Sequence, residues 1–593
     1  MKPYFIQAVA FLFVLFFIGC GEEFIYRAPQ GSIDQHALAN EQGLDLVVTS
    51  AYAGIISRPD GTNTPGWGSG PHNWLYAGVY GGDANKGSSS GDQPTMNDIE
   101  MYNILPTNKW LTEKFKWVYN GVRRANIGIG TVILAEGKAP QEFLKNKNGE
   151  LHFLRAYFYF EGIKMFGSYI PWIDETITDP NPRVHNDIDI YPNVLADLDI
   201  AIENLPAVQD KPGRANSWAA KTLKAKVLMQ QGNLTAAKTI LQDVYNNGVT
   251  ASGEKYGLEE SLDNNWNIDT ENGKESIFAA QYAYERENAN NEMALTHIGG
   301  RGPGGCCNFY KPSSELANSF KVDNRGLPFL DKSYRKPPFV SQLDESDNAP
   351  YPSLNNNIPV DPRLDFAIGR FGIPYKDWGL PPRSWAGSVS NGGMFLTKKH
   401  IFHQRHNGIL AGDINPNVGS GSAMNYQILS FRDVILLLAE CYANDGELSP
   451  AMNLVNEIRE RAGNEANLVR FSEMDDPARV GELAADYRVS PYPNTHPTFS
   501  NKEECIKAVR MERKLELAME GHRWFDLVRW GGNYMSNELE EYVTFESNFL
   551  NKFKVASKLP ATHTMFPMPA EVLEVIGNDE EGNPYVVQRD PWK

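Results

Sequence analysis

Residues 434–458 read VILLLAECYANDGELSPAMNLVNEI, and this stretch decides the fold class of the chain. Apolar side chains fill most of the first ten positions, and Gly446 follows a short polar run. Apolar residues return at helical spacing over residues 451–458. Glycine commonly ends a helix and serine commonly begins one. The stretch therefore predicts two helices joined by a short turn, with Ser449 as the N-cap of the second.

The same pattern occurs earlier in the chain. GNLTAA at residues 232–237 matches GELSPA at residues 446–451, with Thr235 in the place of the capping serine. These helix pairs resemble tetratricopeptide repeats, in which each pair needs a stacked neighbour to bury its apolar face. We therefore predict a mainly α fold, with tetratricopeptide-like helix pairs forming one α/α superhelical body. A generic helix-turn-helix is the alternative.

The segment between the two copies differs in composition from the helical parts. Residues 251–420 are dense in glycine, proline and asparagine, which permits short strands and loops but no long helix. We interpret this segment as a large loop-rich insertion into one helical body. The predicted organisation is a signal peptide (1–19), an N-terminal helical part (20–250), and a C-terminal part (251–593) made of the insertion, helices over 425–535 and a loop-rich tail over 536–593.

An apolar run at the N-terminus, residues 8–19, stops at Cys20 and is preceded by one basic residue, Lys2. Twelve helical residues span about 18 Å, which is shorter than the ~30 Å apolar core of a bilayer. The run is typical of a signal peptide. Residues 17–20 resemble a bacterial lipobox, whose cysteine is acylated and becomes the mature N-terminus. An ordinary secretory signal with an accidental cysteine is the alternative.

The chain is acidic, with a formal net charge of −17 at pH 7. This charge argues against nucleic acid or anionic lipid headgroups as the main partner. It also disfavours a polyanionic ligand unless the binding site is locally basic.

Two cysteines, Cys441 and Cys505, lie in helical patterns and are predicted to be buried thiols. The adjacent Cys306 and Cys307 could form a vicinal disulfide or stay unpaired, and they lack the C-x-x-C spacing of a metal or redox site.

Residues 510–530 read RMERKLELAMEGHRWFDLVRW and show the apolar spacing of a helix face. Glu520, His522 and Asp526 could form a catalytic group. However, Glu520 with Arg523, and Asp526 with Arg529, are spaced to form i, i+3 ion pairs. We favour a structural charged network over a catalytic site and predict no catalytic residue.

Three histidines recur at every third position, His400, His403 and His406. On a helix they could converge on zinc, but the flanking sequence is typical of a strand followed by a loop. On a strand, His403 would face away from the other two, so a three-ligand site fails. We predict no metal ion and no cofactor.

The block at residues 510–530 closely resembles a hallmark helix of the SusD/RagB family of outer-membrane nutrient-binding lipoproteins. Other blocks agree with this family in the same order along the chain. They are GGDANKGSSSGDQ (81–93), the aromatic-rich helix ELHFLRAYFYFEGIKMFGSYIPW (150–172), ILSFRDVILLLAECYA (428–443) and FPMP (566–569). The cysteine pair and its surrounding glycines depart from the family pattern.

The resemblance implies a non-catalytic receptor that binds an oligosaccharide or similar nutrient. It further implies that the receptor acts as the lid of a SusC-like TonB-dependent transporter. Its lipid anchor at Cys20 would hold it on the outer membrane, and Glu22 and Glu23 resemble a signal for export to the extracellular face. Two alternatives remain: a structural lid or adaptor without strong ligand binding, and a glycoside hydrolase, whose paired carboxylates are defined by distance in space.

Sugar rings offer apolar faces that stack on aromatic side chains, while their hydroxyls need polar partners. Loops on a rigid scaffold are where such residues concentrate. For any one aromatic ring, burial in the core is the alternative. The candidate ligand-binding residues are Trp67, Trp74, Tyr80, Asp83, Phe309, Tyr310, Tyr375, Trp378 and Trp385.

Overall fold

The computed structural model describes residues 35–56, 68–284, 302–303, 307–340, 357–415 and 419–593. The expectations for Cys20, Trp67 and Cys306 lie outside these residues. Seven helices precede the insertion: α1 (Glu41–Ile56), α2 (Thr95–Glu100), α3 (Lys109–Leu134), α4 (Gln141–Phe166), α5 (Tyr191–Asn204), α6 (Ser217–Gln230) and α7 (Leu234–Asn247).

Where the structure describes the insertion, its elements are all short, as its composition predicts. Its helices in the described part are α8 (Ser314–Ser319), α9 (Arg363–Ala367) and α10 (Val389–Gly392). The strands among the described residues are β1 (Ala84–Gly87), β2 (Ser276–Ala280), β3 (Phe309–Pro312), β4 (Ile368–Gly369), β5 (Leu396–Thr397), β6 (Ala411–Asn415), β7 (Gly419–Ser422) and β8 (Tyr426–Ser430).

The strands form two-stranded antiparallel sheets that attach the insertion to the helical body. β1, which lies before α3 in the chain, pairs with β3 of the insertion, with Ala84 opposite Pro312. β2 pairs with β8, and β8 leads directly into the next long helix. The other pairs are β4 with β5 and β6 with β7. The first part of the insertion, at β2, and its middle, at β3, are therefore fixed to strands outside it by backbone hydrogen bonds.

Six helices follow the insertion: α11 (Phe431–Asp445), α12 (Leu448–Ala462), α13 (Lys502–Glu516), α14 (Arg523–Arg529), α15 (Gly532–Glu546) and α16 (Ala570–Ile576). Three of them, α13, α14 and α15, correct two sequence predictions. The block at residues 510–530 is not one helix, because the chain turns between α13 and α14. The predicted loop-rich tail from residue 536 begins instead with the second half of α15.

The two predicted repeats are the pairs α6–α7 and α11–α12. Gly232 and Gly446 end their first helices with φ of +79° and +81°, which glycine adopts without steric cost. The predicted N-caps Thr235 and Ser449 were wrong, since both lie inside their helices. The cap of α7 is Asn233, whose side chain accepts a hydrogen bond from the Ala236 N–H.

The two repeats stack directly on each other. The Tyr245 hydroxyl donates to Glu457 at 2.8 Å, and the Gln242 amide donates to the Tyr442 hydroxyl at 2.7 Å. Leu241 of α7 is fully buried at this contact, and burying a leucine stabilises the fold by about 1.5–3 kcal/mol. The structure thus confirms a mainly helical fold built from packed helix pairs with small two-stranded sheets.

The cysteines divide into two groups. Cys441 and Cys505 are free and buried, as predicted. Cys307 is disulfide-bonded. Across the described ranges, no helix combines the length and apolarity needed to cross a membrane.

Glu546, on α15, is a buried carboxyl whose pKa is raised to about 8, chiefly by burial. In the folded protein it therefore stays protonated at neutral pH, whereas in the unfolded chain it ionises above about pH 4.5. The folded state therefore binds one more proton than the unfolded chain between these values. The free energy of unfolding falls as pH rises from about 5 to 8, by about 1.4 kcal/mol per pH unit. We expect Glu546→Gln to remove this loss and to be more stable than the natural protein at pH 8.

The measurement is the denaturation midpoint at pH 5 and pH 8. Gln keeps the oxygen that accepts a hydrogen bond from the Glu315 N–H at 2.7 Å. Glu540→Gln, on the exposed side of the same helix, is the control and should follow the natural protein. An equal fall in stability for Glu546→Gln and the natural protein would show that Glu546 is already ionised.

Candidate functional site

The predicted ligand-binding residues lie mostly in the core. Seven of them are at most 6% exposed: Trp74, Tyr80, Asp83, Phe309, Tyr310, Tyr375 and Trp385. The pairing of β1 with β3 brings Trp74 to 6.0 Å from the Phe309 ring and 5.7 Å from the Tyr310 ring. These rings contact one another and not solvent, so a glycan cannot stack on them in this conformation. Trp378 alone among the described candidates is partly exposed.

The charged residues of the 510–530 block form a buried network. Glu520 contacts Lys399 at 2.7 Å and Arg432 at 2.8 Å, and not the predicted partner Arg523. Arg523 instead lies 3.3 Å from Glu538. The predicted pair of Asp526 with Arg529 is present at 2.8 Å.

This network is not arranged for catalysis. Burial raises the pKa of Glu520, but the charges of Arg432 and Lys399 outweigh it and hold that pKa at about 2. Burial lowers the pKa of His522 to about 4, so the imidazole is neutral at pH 7. The cavity beside these groups holds about 60 Å³, which admits a few water molecules and no sugar ring.

The three histidines do not share a site. His400 is buried, and its Nε2 lies 2.6 Å from the Met519 carbonyl oxygen. The rings of His403 and His406 lie 5.9 Å apart. The predicted strand ends at Thr397, before all three histidines, and His406 lies in a 3₁₀ turn at Gln404–His406. Among the residues that the structure describes, no group of three or more His, Cys, Asp or Glu side chains is arranged to hold a metal ion.

Trp378 is held in place by its neighbours in the insertion. Its indole N–H donates to the Phe402 carbonyl oxygen at 3.0 Å, and its ring lies 5.8 Å from the Phe402 ring. It stands in a turn closed by a hydrogen bond from the Tyr375 N–H to the Gly379 carbonyl oxygen. The ring is therefore rigid and partly open to solvent.

The carboxylate next to Trp378 is fixed by a second segment of the insertion. Asp377 accepts hydrogen bonds from the backbone N–H groups of Gln404 at 2.6 Å and Arg405 at 3.2 Å. It also lies 3.4 Å from Nδ1 of His403. Burial raises the pKa of Asp377, but the His403 hydrogen bond and the two backbone donors hold it well below its usual range.

A third segment contributes two more carboxylates. His403 Nε2 lies 2.8 Å from Asp263, whose pKa is about 2 because the His403 hydrogen bond and the Lys376 charge outweigh burial. Arg405 donates to Asp269 at 2.9 Å. We name the whole group the Trp378 cluster, and its members are Asp263, Asp269, Asp377, Trp378, His403 and Arg405.

The Trp378 cluster offers the chemistry that sugar recognition requires. The side chains of Asp377, Arg405 and Asp269 are 32, 47 and 49% exposed, so their polar atoms reach solvent. They supply acceptors and donors for hydroxyl groups beside an aromatic face. Ion pairs among them fix their geometry before a ligand arrives.

Comparisons with known proteins identify the family of the chain. The model of the SusD family matches residues 274–580, which is more than half of the chain and includes all but two members of the cluster. The chain belongs to the SusD family. A second family model, described as starch-binding and associating with the outer membrane, matches residues 76–229.

Individual members of the SusD family resemble the chain along most of its length. A SusD-like protein of Bacteroides ovatus is 23% identical over 567 residues, covering 89% of this chain and 84% of that protein. A SusD superfamily structure from Bacteroides vulgatus covers 94% of this chain and all of that one, with a TM-score of 0.64 and 18% identity.

A third relative has a bound sugar. The surface glycan-binding protein A of Bacteroides thetaiotaomicron, in complex with laminarihexaose, covers 92% of this chain and 99% of its own, with a TM-score of 0.61 and 16% identity. Likeness at this level shows the fold of the SusD family. Family membership also makes the protein a carbohydrate-binding protein and not an enzyme.

Sequence reasoning missed most of the Trp378 cluster in this SusD family protein. Asp263, Asp269 and Arg405 come from segments about 140 residues apart, and no spacing in the sequence connects them. The one available signal was Asp377 directly before Trp378 in a loop-rich segment.

Proposed function

We propose that this protein is a cell-surface lipoprotein that binds a glycan and delivers it to a SusC-like TonB-dependent outer-membrane transporter, for which it is the lid. The observation that supports it most is the SusD family match over residues 274–580. The protein binds and releases its ligand without changing any covalent bond.

The Trp378 cluster is our candidate for the glycan contact. A sugar ring would lay its apolar face on the indole, a type of contact that adds about 0.5–1.5 kcal/mol beyond the buried area. Hydroxyl groups would donate to Asp377 and Asp269 and accept from Arg405. Hydrogen bonds to charged groups contribute about 1.5–3 kcal/mol each. A neutral sugar fits this mixture of donors and acceptors.

The first sugar to test is a β-glucan. One relative of the same fold is known as a surface glycan-binding protein in complex with laminarihexaose. Another is described as a laminarin-binding SusD-like protein, with a TM-score of 0.60. Both share less than 20% identity with this chain, so their ligands indicate only the first probes to use.

The test is a binding panel with the mature chain carrying Cys20→Ala, using laminarin, starch, xylan and mannan. We expect binding to at least one polysaccharide and no new reducing ends after long incubation. Release of reducing ends would favour the glycoside hydrolase. Binding to no polysaccharide, together with co-purification of a barrel protein from native membranes, would favour the structural adaptor.

Cys20→Ala should release the protein from the outer membrane and slow growth on its glycan. Two or more acyl chains make a stable anchor, since each buried CH₂ contributes about 0.8 kcal/mol. Membrane fractionation and growth curves measure the two effects. Glycan affinity of the purified chain should not change. A variant that stayed on the surface and supported normal growth would contradict the role of Cys20.

A further inference from the structure

A cleft separate from the Trp378 cluster lies on the helical body, and no residue of the insertion lines it. It holds about 880 Å³ and lies between α3, the extended segment 171–184 and α16. A volume of this size is typical of sites for small ligands. The residues that line it belong to the described ranges and to none of the segments that form the Trp378 cluster.

The floor of the cleft is apolar and partly aromatic. Phe115 and Tyr119 lie one turn apart on α3 with their rings 4.4 Å apart, and Ile127 follows two turns later. Tyr119 is fixed by its hydroxyl, which donates to the Pro171 carbonyl oxygen at 2.8 Å. Ile127 is 43% and Val575 of α16 is 71% exposed. The floor therefore offers ring and aliphatic faces without closing over them.

Two arginines line this cleft, Arg123 on α3 and Arg183 in the extended segment, and both are exposed. Neither guanidinium group has a hydrogen bond, an ion pair or a ring contact with any described residue. All other arginines of the described ranges have at least one such partner. The two guanidinium groups thus keep their full set of donors for a ligand.

Two carboxylates also line the cleft, and no ion pair joins either of them to these arginines. Glu175 is paired with Arg155, which lies behind the wall of the cleft. Asp179 uses one oxygen to accept a hydrogen bond from the Asn181 N–H at 2.9 Å. The two guanidinium groups are therefore the unpaired cations of a cleft lining that also carries two carboxylates, one of them already paired outside the cleft.

We propose that this cleft is a second binding site and that it takes an anionic oligosaccharide, one whose rings carry carboxylate or sulfate groups. Arginine pairs with planar carboxylates through two parallel hydrogen bonds, and with tetrahedral anions through the same donors. The ring of the sugar would lie on Tyr119 and the apolar floor. The proposal rests on the proposed function in one respect, namely that the ligand is a glycan.

The test is isothermal titration of the mature chain carrying Cys20→Ala with oligogalacturonate, a sulfated oligosaccharide and laminarihexaose, each at low and high salt. We expect an anionic probe to bind, and high salt to weaken it because ions screen an exposed pair. The double variant Arg123→Gln/Arg183→Gln should weaken anionic binding by at least about tenfold. Binding of either anionic probe that is lost in this variant supports the site.

The variant should fold normally, since neither guanidinium has a partner among the described residues, and its melting temperature should match the natural value. The control Arg325→Gln/Arg488→Gln removes two charges from exposed ion pairs outside the cleft and should leave anionic binding unchanged. Anionic probes that fail to bind, or that bind equally well to the double variant, would overturn the proposal. Neutral glycan binding that persists in that case would leave the proposed function standing.

Discussion

Arg363→Ala is expected to destabilise the protein by about 3–5 kcal/mol, the usual cost of removing one partner from a buried ion pair. The Arg363 side chain is 2% exposed, and its Nε and Nη2 donate to the two oxygens of Asp361 at 2.9 and 2.7 Å. Its Nη1 contacts Glu512 at 2.7 Å and Glu516 at 3.0 Å.

The large effect follows from what remains after the substitution. Asp361, Glu512 and Glu516 have side chains that are at most 1% exposed, so water cannot replace the lost guanidinium. Arg459 and Arg461 still contact Glu512 and Glu516, whereas Asp361 loses its direct ion-pair partner among the described residues. An uncompensated carboxylate in the core is costly because burial disfavours its charged form.

A matched control exists 125 residues further along the chain. Arg488 binds Asp486 with the same two-residue spacing and the same two-pronged geometry, at 2.8 and 2.9 Å, but its side chain is 40% exposed. Arg488→Ala should have little effect, because surface ion pairs contribute little. Urea denaturation followed by circular dichroism measures the stability of Arg363→Ala and of Arg488→Ala. Equal midpoints for the two variants would contradict the buried network.

Gly521→Ala is expected to have an effect of similar size, for a steric reason. Gly521 lies in the turn between α13 and α14 with φ of +68°, and an added Cβ would stand 2.0 Å from the His72 carbonyl oxygen. Because that oxygen belongs to the backbone, the segment at residue 72 must move away from the core. Overpacking of this kind costs about 1–3 kcal/mol, in addition to the strain of positive φ.

Gly577→Ala separates the steric clash of the added Cβ from the backbone strain of positive φ. Gly577 ends α16 with φ of +70°, and an added Cβ would approach no atom closer than 4.0 Å. This variant should lose only the cost of its backbone conformation, φ +70° with ψ −149°, which essentially only glycine adopts, about 1–3 kcal/mol. Urea denaturation also measures the stability of the two glycine variants. If Gly521→Ala were no less stable than Gly577→Ala, the close approach of the turn to His72 would be refuted.

The sequence predicted the helical body well because local signals determine it. Apolar spacing and the glycines at 232 and 446 place the paired helices, and tertiary packing then follows from their shared apolar faces. The N-caps at Thr235 and Ser449 were misplaced because the helices begin directly after the glycine turn. The break after α13 was missed, since it depends on the close contact of Gly521 with a segment 449 residues earlier.

The candidate site was far less predictable. Aromatic residues in loop-rich segments were expected to contact ligand, but most of them fill the core between the insertion and the body. Trp74 and Tyr310 illustrate the reason: strand pairing buries both, and no local pattern shows that pairing. Arg405 and Asp269 meet only in three dimensions.

The most direct test of the account is the affinity of the Trp378→Ala variant for the strongest ligand of the polysaccharide panel, measured by isothermal titration. We predict a loss of about tenfold or more, since the ring supplies the stacking face. Trp218→Ala, which removes a partly exposed ring from α6, should bind like the natural protein. Unchanged affinity in Trp378→Ala would contradict the claim that the Trp378 cluster binds the glycan.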